Sequence, residues 1–307
     1  MKVLILGHHG MLGNVVYKYF NDKHDVEVIE GVRWNSDEFK MRVISSNADF
    51  IINCIGAIPQ KKHTKESYEL LNIELPKFLE KTGRKIIHPS TDCEFSGKLE
   101  YPKKYTKNDF RDADDDYGMS KAIASELIVN YFKNTKMIRA SIIGHEETGH
   151  FSLLDWFLGA DESKEVNGYA NYYWNGITTL FWAKMAEKMV SNWNDYDVMV
   201  QIGVEGLHKC DLLKTVAKIY GKSTKINEFN MAVPLNKMLE TDFKIPTIEE
   251  QLIELKDFYF NSYEKCVVCK KQTNVPIDLH IDLRKNYVEG VGQLCDDCAK
   301  KIQYSNE

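Results

Sequence analysis

The sequence has no hydrophobic run that approaches the roughly 20 residues of a membrane-spanning helix. The apolar stretch at residues 2–6 is too short for a signal peptide and leads directly into a glycine-rich segment. Basic residues are not in excess, since 40 Lys and Arg face 45 Asp and Glu. These absences disfavour a membrane protein and a general nucleic-acid binder, and we expect a cytoplasmic protein.

Cysteines are few and unevenly distributed. The chain has seven, and four of them form two Cys-x-x-Cys pairs, Cys266 with Cys269 and Cys295 with Cys298. An odd total and a clustered distribution argue against a disulfide framework and favour a local metal site. Cys54, Cys93 and Cys210 are expected to be ordinary buried thiols.

The order of apolar patterns indicates the fold class. Hydrophobic residues make up 43% of the 307 residues, which is a globular balance. Strand-like runs at residues 2–6, 25–29, 48–55, 85–88 and 137–143 alternate with helical patterns at residues 12–20, 67–81 and 117–132. Such alternation predicts an α/β fold with a Rossmann-type, doubly wound parallel sheet. Pro76 should kink or interrupt the second helix.

The rest of the chain divides into three parts. Residues 150–235 are rich in Trp, Tyr and Asn and are expected to form a smaller substrate lobe. Residues 248–260 should form a closing helix. Beyond residue 262 the composition shifts to Cys, Lys and Asp. We therefore expect a main domain over residues 1–262 and a small module over residues 263–307.

A glycine loop joins the first strand to the first helix. Gly7, Gly10 and Gly13 follow the pattern Gly-x-x-Gly-x-x-Gly. The first glycine permits a tight turn, the second lets the backbone approach a pyrophosphate, and the third allows close helix packing. The helix N-terminus then favours the phosphates. The position of this loop predicts dinucleotide binding.

Charges after the second strand bear on the choice of dinucleotide. Arg33 can hold a 2′-phosphate with its guanidinium, which favours NADPH. Glu30 can bond ribose hydroxyls and leaves NADH open. Both residues can also be read as solvated loop charges.

Thr91, Tyr117 and Lys121 form a candidate catalytic set. Tyr117 and Lys121 are four residues apart, so a helix places both on one face. A nearby ammonium should lower the pKa of the phenol, which can then deliver a proton to a carbonyl oxygen while hydride reaches the carbon. Thr91, with Ser90 beside it, can orient that carbonyl from the end of the fourth strand. Tyr-x-x-x-Lys alone arises often by chance, but its order after the glycine loop makes the set specific.

Four segments carry a family resemblance over about residues 1–260. They are Ser90-Thr91-Asp92-Cys93-Glu94-Phe95-Ser96-Gly97, Tyr117-Gly118-Met119-Ser120-Lys121, Asn72 with its helix, and Arg139-Ala140-Ser141-Ile142-Ile143-Gly144. They resemble the extended short-chain dehydrogenase/reductase superfamily, in particular its dTDP-4-dehydrorhamnose reductase branch. The resemblance implies NAD(P)H-dependent reduction of the 4-keto group of a nucleotide-linked 6-deoxy-sugar.

The resemblance also implies site residues. Thr91, Tyr117 and Lys121 would be catalytic. The cofactor would be lined by Gly7, Gly10, Met11, Leu12, Ile55 and Gly56. From the residues themselves we add Gly13, Arg33, Cys54, Tyr117 and Lys121 as expected cofactor contacts. Ser90, Thr91, Cys93 and Tyr117 would face the substrate.

The chain departs from the family pattern at two places. Cys93 and Glu94 replace the usual Tyr-Val, and the segment that contains Trp174 and Asn175 has no firm counterpart. Both departures can touch the sugar. Aromatic faces and amides suit hydroxylated rings, so Trp174 and Asn175 are candidate substrate contacts, although the surrounding aromatics can equally be core residues.

The C-terminal cysteines predict a metal module. Two Cys-x-x-Cys knuckles supply four thiolates for a structural, tetrahedral Zn²⁺ site in a zinc-ribbon-like unit. Rubredoxin-type iron is the rival, but its knuckles usually carry glycine where Lys270 and Ala299 stand here. The module can dock on the main domain, mediate a homodimer or recruit a protein partner, and nucleic-acid binding is not expected.

Two other functions stay open at this point. Some members of the superfamily bind nucleotide and regulate another enzyme without catalysis, and the intact Thr91, Tyr117 and Lys121 argue against that role. A sugar-nucleotide epimerase or dehydratase uses the same Tyr-Lys pair. Residues 92–94 leave the dehydratase option open, because dehydratases add an acid/base pair beside the Ser or Thr.

Overall fold

The computed structural model describes residues 1–61, 63–149, 151–241, 243–260, 263–277 and 279–303. The chain divides into two compact units, Met1–Leu252 and Ile253–Glu307. The composition shift in the sequence predicts a boundary near residue 262. Along the described residues, no helix combines the length and the apolar character needed to cross a membrane.

Strands and helices alternate through the first unit. Its strands are β1 (Lys2–Leu6), β2 (Asp25–Val28), β3 (Phe50–Asn53), β4 (Lys85–Ser90), β5 (Thr135–Arg139), β6 (Ile142–Ile143), β7 (Val166–Tyr169), β8 (Tyr172–Trp174), β9 (Ile177–Thr178), β10 (Met199–Gln201), β11 (Leu207–His208), β12 (Ile226–Phe229) and β13 (Leu235–Asn236). Its helices are α1 (Met11–Asn21), α2 (Asp37–Ser45), α3 (Lys65–Glu69), α4 (Leu75–Glu80), α5 (Asp116–Asn130), α6 (Leu153–Gly159), α7 (Thr179–Ser191) and α8 (Lys209–Tyr220), followed by α9 (Ile248–Phe260).

A parallel sheet forms the centre of this unit. Within the described residues its strand order is β10-β5-β4-β3-β1-β2, and each neighbouring pair is parallel. Leu4 and Leu6 join a core that includes residues of α2 and α4. The alternate residues Val3 and Ile5 are also fully buried, so both faces of the sheet are covered. This is the doubly wound α/β fold that the sequence predicts, and its ligand crevice lies at the carboxyl ends of the strands.

The helix that contains Pro76 has an unusual turn. A π-helical segment, Leu70–Glu74, links α3 to α4, and the Leu75 N–H bonds the Leu70 carbonyl. Pro76 follows immediately, at the start of α4. The expected interruption is therefore a π turn, which accommodates a residue without a backbone N–H donor.

Two sequence expectations differ from the structure. The strand expected over residues 137–143 ends at Arg139, because the chain then leaves the main sheet and β6 pairs with β9. The substrate lobe was expected over residues 150–235, yet β10 within that range extends the main sheet beside β5. The smaller sheets β11-β8-β13 and β12-β7 are built mainly from the rest of that range, and α8 packs against them.

The second unit contains two small antiparallel hairpins. β14 (Tyr263–Lys265) pairs with β15 (Gln272–Pro276), and β16 (Tyr287–Val288) pairs with β17 (Gly292–Gln293). A terminal helix, α10 (Asp296–Gln303), follows. The core of this unit is small, and the cysteines make up much of it: Cys266, Leu294, Cys298 and Ala299 are buried, with Val267 and Cys295 packed against them.

Candidate active site and cysteine cluster

The glycine loop has the geometry that a dinucleotide requires. Gly7 has φ of +79°, and a Cβ there would lie 2.9 Å from the Ile55 side chain. A Cβ on Gly13 would lie 2.0 Å from the Gly7 carbonyl oxygen. Gly10 precedes α1 without a side-chain cap, so the first N–H groups of the helix are available to an anion.

A cavity of about 350 Å³ lies against this loop. The predicted site residues that line it are Gly10, Met11, Leu12, Cys54, Ile55, Gly56, Ser90, Thr91, Cys93, Tyr117 and Lys121. Gly7, Gly13, Arg33, Trp174 and Asn175 lie outside the lining. Gly7 and Gly13 therefore shape the loop from behind, while Gly10 to Leu12 form its cavity face.

The catalytic candidates come together between β4 and α5. Asp115 caps α5 by accepting a hydrogen bond from the Gly118 N–H at 2.7 Å. A Cβ on Gly118 would lie 2.3 Å from the Cys93 carbonyl oxygen, so this glycine lets the helix approach the Thr91 loop. Lys121 Nζ donates to the Pro89 carbonyl at 2.9 Å. The Thr91 hydroxyl accepts from the Cys93 N–H and donates to the Asp92 carboxylate.

Burial controls the protonation of Tyr117 and Lys121. Burial raises the pKa of Tyr117, the side chain of Cys93 adds to this increase, and a hydrogen bond with Thr91 opposes it. Burial also lowers the pKa of Lys121 to about 8, against the attraction of Glu94. The expectation that an ammonium lowers the pKa of Tyr117 is therefore wrong for this structure, because desolvation dominates. Tyr117 is a neutral phenol that can donate a proton.

The depressed pKa of Lys121 predicts how stability varies with pH. We expect Lys121→Met to be more stable than the wild type at pH 7, since the substitution removes a buried ammonium. Between the folded pKa of about 8 and the ordinary value of 10.5, the unfolded wild type binds more protons, so wild-type stability rises with pH. The advantage of the variant should therefore shrink by about 2 kcal/mol from pH 7 to pH 10.

Urea unfolding at both pH values measures this difference. Lys188→Met, at an exposed position on α7, is the matched control and should show no such trend. A stability difference between Lys121→Met and the wild type that stays constant across this range would contradict the buried ammonium.

Glu94 has a structural role and does not contact the cavity. It is fully buried, and its Oε2 accepts from Arg139 at 2.7 Å and from Arg111 at 3.0 Å. Its Oε1 accepts from the hydroxyls of Ser90 and Ser125. The proposed sugar contact of Glu94 is therefore not supported, because every one of these bonds holds it in the core. Cys93, in contrast, does line the cavity.

Trp174 and Asn175 are also held away from the cavity. Each is 2% exposed. The indole N–H of Trp174 donates to Ser141 Oγ at 2.7 Å. Asn175 bonds the backbone at three points, donating to the Val204 and Leu239 carbonyls and accepting from the Leu239 N–H. The structure does not bring this pair to the substrate side, because their polar groups are used to tie the lobe together.

Several residues outside the predicted site set also line the cavity. Among them are Asp92, Tyr172 on β8 and Lys209 at the start of α8. The many aromatic residues around Tyr172 indicate that this segment faces the substrate, although the sequence predicts Trp174 as the contact. Lys209 had no local signal, since its neighbours in the cavity come from distant parts of the chain.

Asn72 connects the cavity floor to the catalytic helix. Its amide exchanges two hydrogen bonds with the Ala57 backbone and donates to Ser120 Oγ at 2.9 Å. Ser120 in turn donates to the Tyr117 carbonyl at 2.7 Å. The π turn that contains Asn72 thus links the Ala57 loop to the helix that carries Tyr117.

Of the two charged residues expected near the adenosine of the dinucleotide, Glu30 has a partner in the structure and Arg33 is exposed. Glu30 follows β2, and its carboxylate lies 3.0 Å from His8 Nε2 in the glycine loop. Arg33 is exposed, and its carbonyl accepts hydrogen bonds from Ser36. Glu30 is therefore tied to the glycine loop, whereas the Arg33 guanidinium is at the surface.

The four C-terminal cysteines converge as their spacing predicts. Their sulfur atoms all lie within 4.8 Å of one another, and Cys269 Sγ is 3.7 Å from Cys295 Sγ. Four thiolates around Zn²⁺, with Zn–S bonds of about 2.3 Å, would be separated by about 3.8 Å. Backbone N–H groups that face Cys266 lower its pKa to about 6. The cluster thus has the donor set and spacing of a tetrahedral metal site.

Comparisons with known proteins agree with the fold. A family model described as RmlD substrate binding domain matches residues 1–166. No curated protein matches the sequence significantly.

Solved structures match most of the chain at low sequence identity. A dTDP-4-dehydrorhamnose reductase from Clostridium acetobutylicum is 18% identical, with a TM-score of 0.70 over 84% of this chain and 99% of that chain. The corresponding enzyme from Bacillus anthracis, in complex with NADP, is 14% identical, with a TM-score of 0.72 over 83% and 98%. A dTDP-glucose 4,6-dehydratase from Bacillus anthracis, in complex with NAD, is 15% identical, with a TM-score of 0.68 over 84% and 96%. At these identities the likeness shows the fold.

Proposed function

The chain belongs to the RmlD substrate-binding domain family, and from this premise we propose that it is an NAD(P)H-dependent reductase of a nucleotide-linked keto-sugar. The substrate class that the family suggests is the 4-keto group of a nucleotide-linked 6-deoxy-sugar, in activated-deoxysugar biosynthesis. The observation that carries the proposal is the convergence of Thr91, Tyr117 and Lys121 on one cavity beside the glycine loop.

Each catalytic candidate has a role in reduction of a carbonyl. A bound nicotinamide supplies the hydride. Tyr117, a neutral phenol, donates its proton to the carbonyl oxygen as that oxygen becomes an alcohol. Thr91 orients the carbonyl with its hydroxyl. Lys121, held by the Pro89 carbonyl, stabilises the negative charge that forms on the tyrosine oxygen.

The residues beside the glycine loop fit a nicotinamide dinucleotide. Gly10, Met11 and Leu12 would hold its pyrophosphate at the uncapped start of α1. Cys54, Ile55 and Gly56 would line its other side. We favour NADPH because the exposed guanidinium of Arg33 is free to reach a 2′-phosphate. NADH is the second candidate, because Glu30 follows β2 where ribose hydroxyls are commonly bonded.

A panel of substrates tests the reductase proposal. The protein is mixed with NADPH or NADH and with nucleotide-linked 4-keto-6-deoxyhexoses, and the loss of reduced-nicotinamide absorbance is followed. We expect oxidation with at least one keto-sugar. Binding of the cofactor without reduction of any keto-sugar would favour a regulatory, non-catalytic role.

We further propose that Cys266, Cys269, Cys295 and Cys298 bind one structural Zn²⁺. The spacing of the four sulfur atoms supports this proposal. All four ligand positions are filled by thiolates, which is the arrangement of structural sites. The small core of this unit consists largely of the cysteines themselves, so its folding should depend on the metal.

The first Cys-x-x-Cys knuckle contains a residue in a strained backbone conformation, and glycine at that position would remove the strain. Lys270 follows Cys269 and has φ of 61°, a left-handed conformation that costs about 1 kcal/mol outside glycine. We expect Lys270→Gly to slow zinc release to a chelator by roughly fivefold, because the folded knuckle gains about 1 kcal/mol. Lys271→Gly is the control, since Lys271 has no positive φ. Equal or faster release from Lys270→Gly would contradict this account.

A further inference from the structure

Lys209 places an ammonium group at the wall of the active-site cavity. It is the first residue of α8, and it lines the cavity together with Thr91, Cys93 and Tyr117. Among the described residues, the ammonium group of Lys209 forms no hydrogen bond or ion pair with another side chain or with a backbone carbonyl. A cation that faces a cavity without such a partner is available to a ligand.

Two aromatic rings hold Lys209 in place. Its Nζ lies 4.9 Å from the ring centroid of Trp174 and 5.2 Å from that of Tyr172. Both rings belong to β8, and cation–π attraction at these distances stabilises the ammonium. Trp174 thus acts on the site indirectly, by supporting Lys209 from behind the cavity wall.

Lys209 shares its neighbourhood with Asp92 and with the catalytic tyrosine. Burial lowers the pKa of Lys209, while Asp92 and Cys93 raise it. The same two side chains raise the pKa values of Tyr117 and Tyr172. All of these groups therefore lie within electrostatic range of Asp92, at the end of the cavity where the carbonyl would react.

Asp92 can serve as an acceptor beside this donor. Its Oδ1 accepts from the Thr91 hydroxyl at 3.1 Å and from the Cys93 thiol at 3.7 Å. Among the described residues its Oδ2 has no hydrogen bond, and Asp92 is one of the residues that line the cavity. The pair therefore offers one charged donor and one charged acceptor to the same ligand.

We propose that Lys209 and Asp92 form the sugar subsite of this cavity, and that the subsite takes an uncharged, hydroxylated ring rather than a uronic acid. This inference rests on the proposed function and names the two residues that select its uncharged sugar. A hydroxyl group can accept from Lys209 and donate to Asp92 at once. A sugar carboxylate would meet the negative charge of Asp92, which lines the same cavity and partly offsets the charge of Lys209 without forming an ion pair with it.

Binding of unreactive nucleotide sugars tests the subsite without turnover. Calorimetry on protein saturated with NADP⁺ compares dTDP-glucose with dTDP, and UDP-glucose with UDP-glucuronic acid. We expect the wild type to bind dTDP-glucose at least about tenfold more tightly than dTDP, as hydrogen bonds to charged groups allow. Lys209→Met should lose this difference and bind dTDP and NADP⁺ as the wild type does, which also shows that the variant folds.

The matched control is Lys218→Met, on the same helix. The Lys218 side chain is 74% exposed and paired with Glu249, so this variant should bind every probe as the wild type does. If Lys209→Met keeps the preference for dTDP-glucose, the subsite is wrong. If the wild type binds UDP-glucuronic acid more tightly than UDP-glucose, and Lys209→Met lacks this preference, the uncharged-ring assignment is wrong.

The subsite and the proposed function fail in different ways. Reduction of a keto-sugar by the wild type, with an unchanged KM in Lys209→Met, would overturn the subsite alone. If the glucose ring strengthens binding only when Lys209 is present, while the wild type reduces no keto-sugar, the reductase proposal alone is overturned. Binding of neither dTDP-glucose nor UDP-glucose to the wild type would overturn both.

Discussion

Tyr117→Phe should lower kcat for keto-sugar reduction by about 10³-fold, because general acid catalysis contributes rate enhancements of this order. The substitution removes only the hydroxyl group, so the ring can keep its packing against Tyr68, whose centroid is 5.9 Å away. The dissociation constant for NADPH should stay within about twofold of the wild type, since the phenol acts on the carbonyl oxygen. Steady-state kinetics and fluorescence titration of NADPH measure the two effects separately.

The control is Tyr131→Phe, which makes the same change at the C-terminal end of α5. Tyr131 is 72% exposed, and the hydroxyl loss there should leave both kcat and KM unchanged. Wild-type turnover in Tyr117→Phe would exclude Tyr117 as the proton donor. A loss of turnover accompanied by a loss of NADPH binding would indicate a binding role for Tyr117 instead.

Cys295→Ser should remove about one zinc ion per chain and unfold the unit that contains the cysteine cluster. Three thiolates and a serine hydroxyl make a much weaker Zn²⁺ site, and the small core of the unit cannot replace the metal. Metal analysis of the purified protein, together with limited proteolysis of the C-terminal unit, measures both consequences. Chelation of the wild type should reproduce the proteolytic pattern.

Cys93→Ser provides the comparison for zinc content. Cys93 lines the active-site cavity and has no part in the four-sulfur cluster, so this variant should retain its zinc. Equal zinc content in Cys295→Ser and the wild type would contradict the four-thiolate site. Iron in place of zinc would instead identify the rubredoxin-type alternative.

The sequence predicts the parts of the site that depend on local spacing. Gly7, Gly10 and Gly13 follow a strand directly, and Tyr117 and Lys121 lie one helical turn apart, so secondary structure alone is enough to place them. The order of strands and helices likewise implies the parallel sheet, which brings Thr91 to the same crevice.

The remaining features depend on tertiary contacts that no local pattern reports. The raised pKa of Tyr117 follows from desolvation at the wall of the assembled cavity, which the spacing between Tyr117 and Lys121 does not report. Glu94 stands in a motif that faces the substrate, yet Arg139 on β5 holds it in the core. Trp174 has an aromatic side chain of the kind that stacks on sugar rings, but it is buried. Lys209, in contrast, lines the cavity from a helix that carries no recognisable motif.

The path of the hydride tests the central claim most directly. The protein is incubated with a nucleotide-linked 4-keto-6-deoxyhexose and NADPH in which both hydrogens at the nicotinamide C4 are deuterium, and the product is examined by mass spectrometry and NMR. We predict a 4-hydroxy product with one deuterium on the sugar C4, formed by the wild type and lost in Tyr117→Phe. Unreduced keto-sugar with all deuterium still on the cofactor would contradict the reductase assignment.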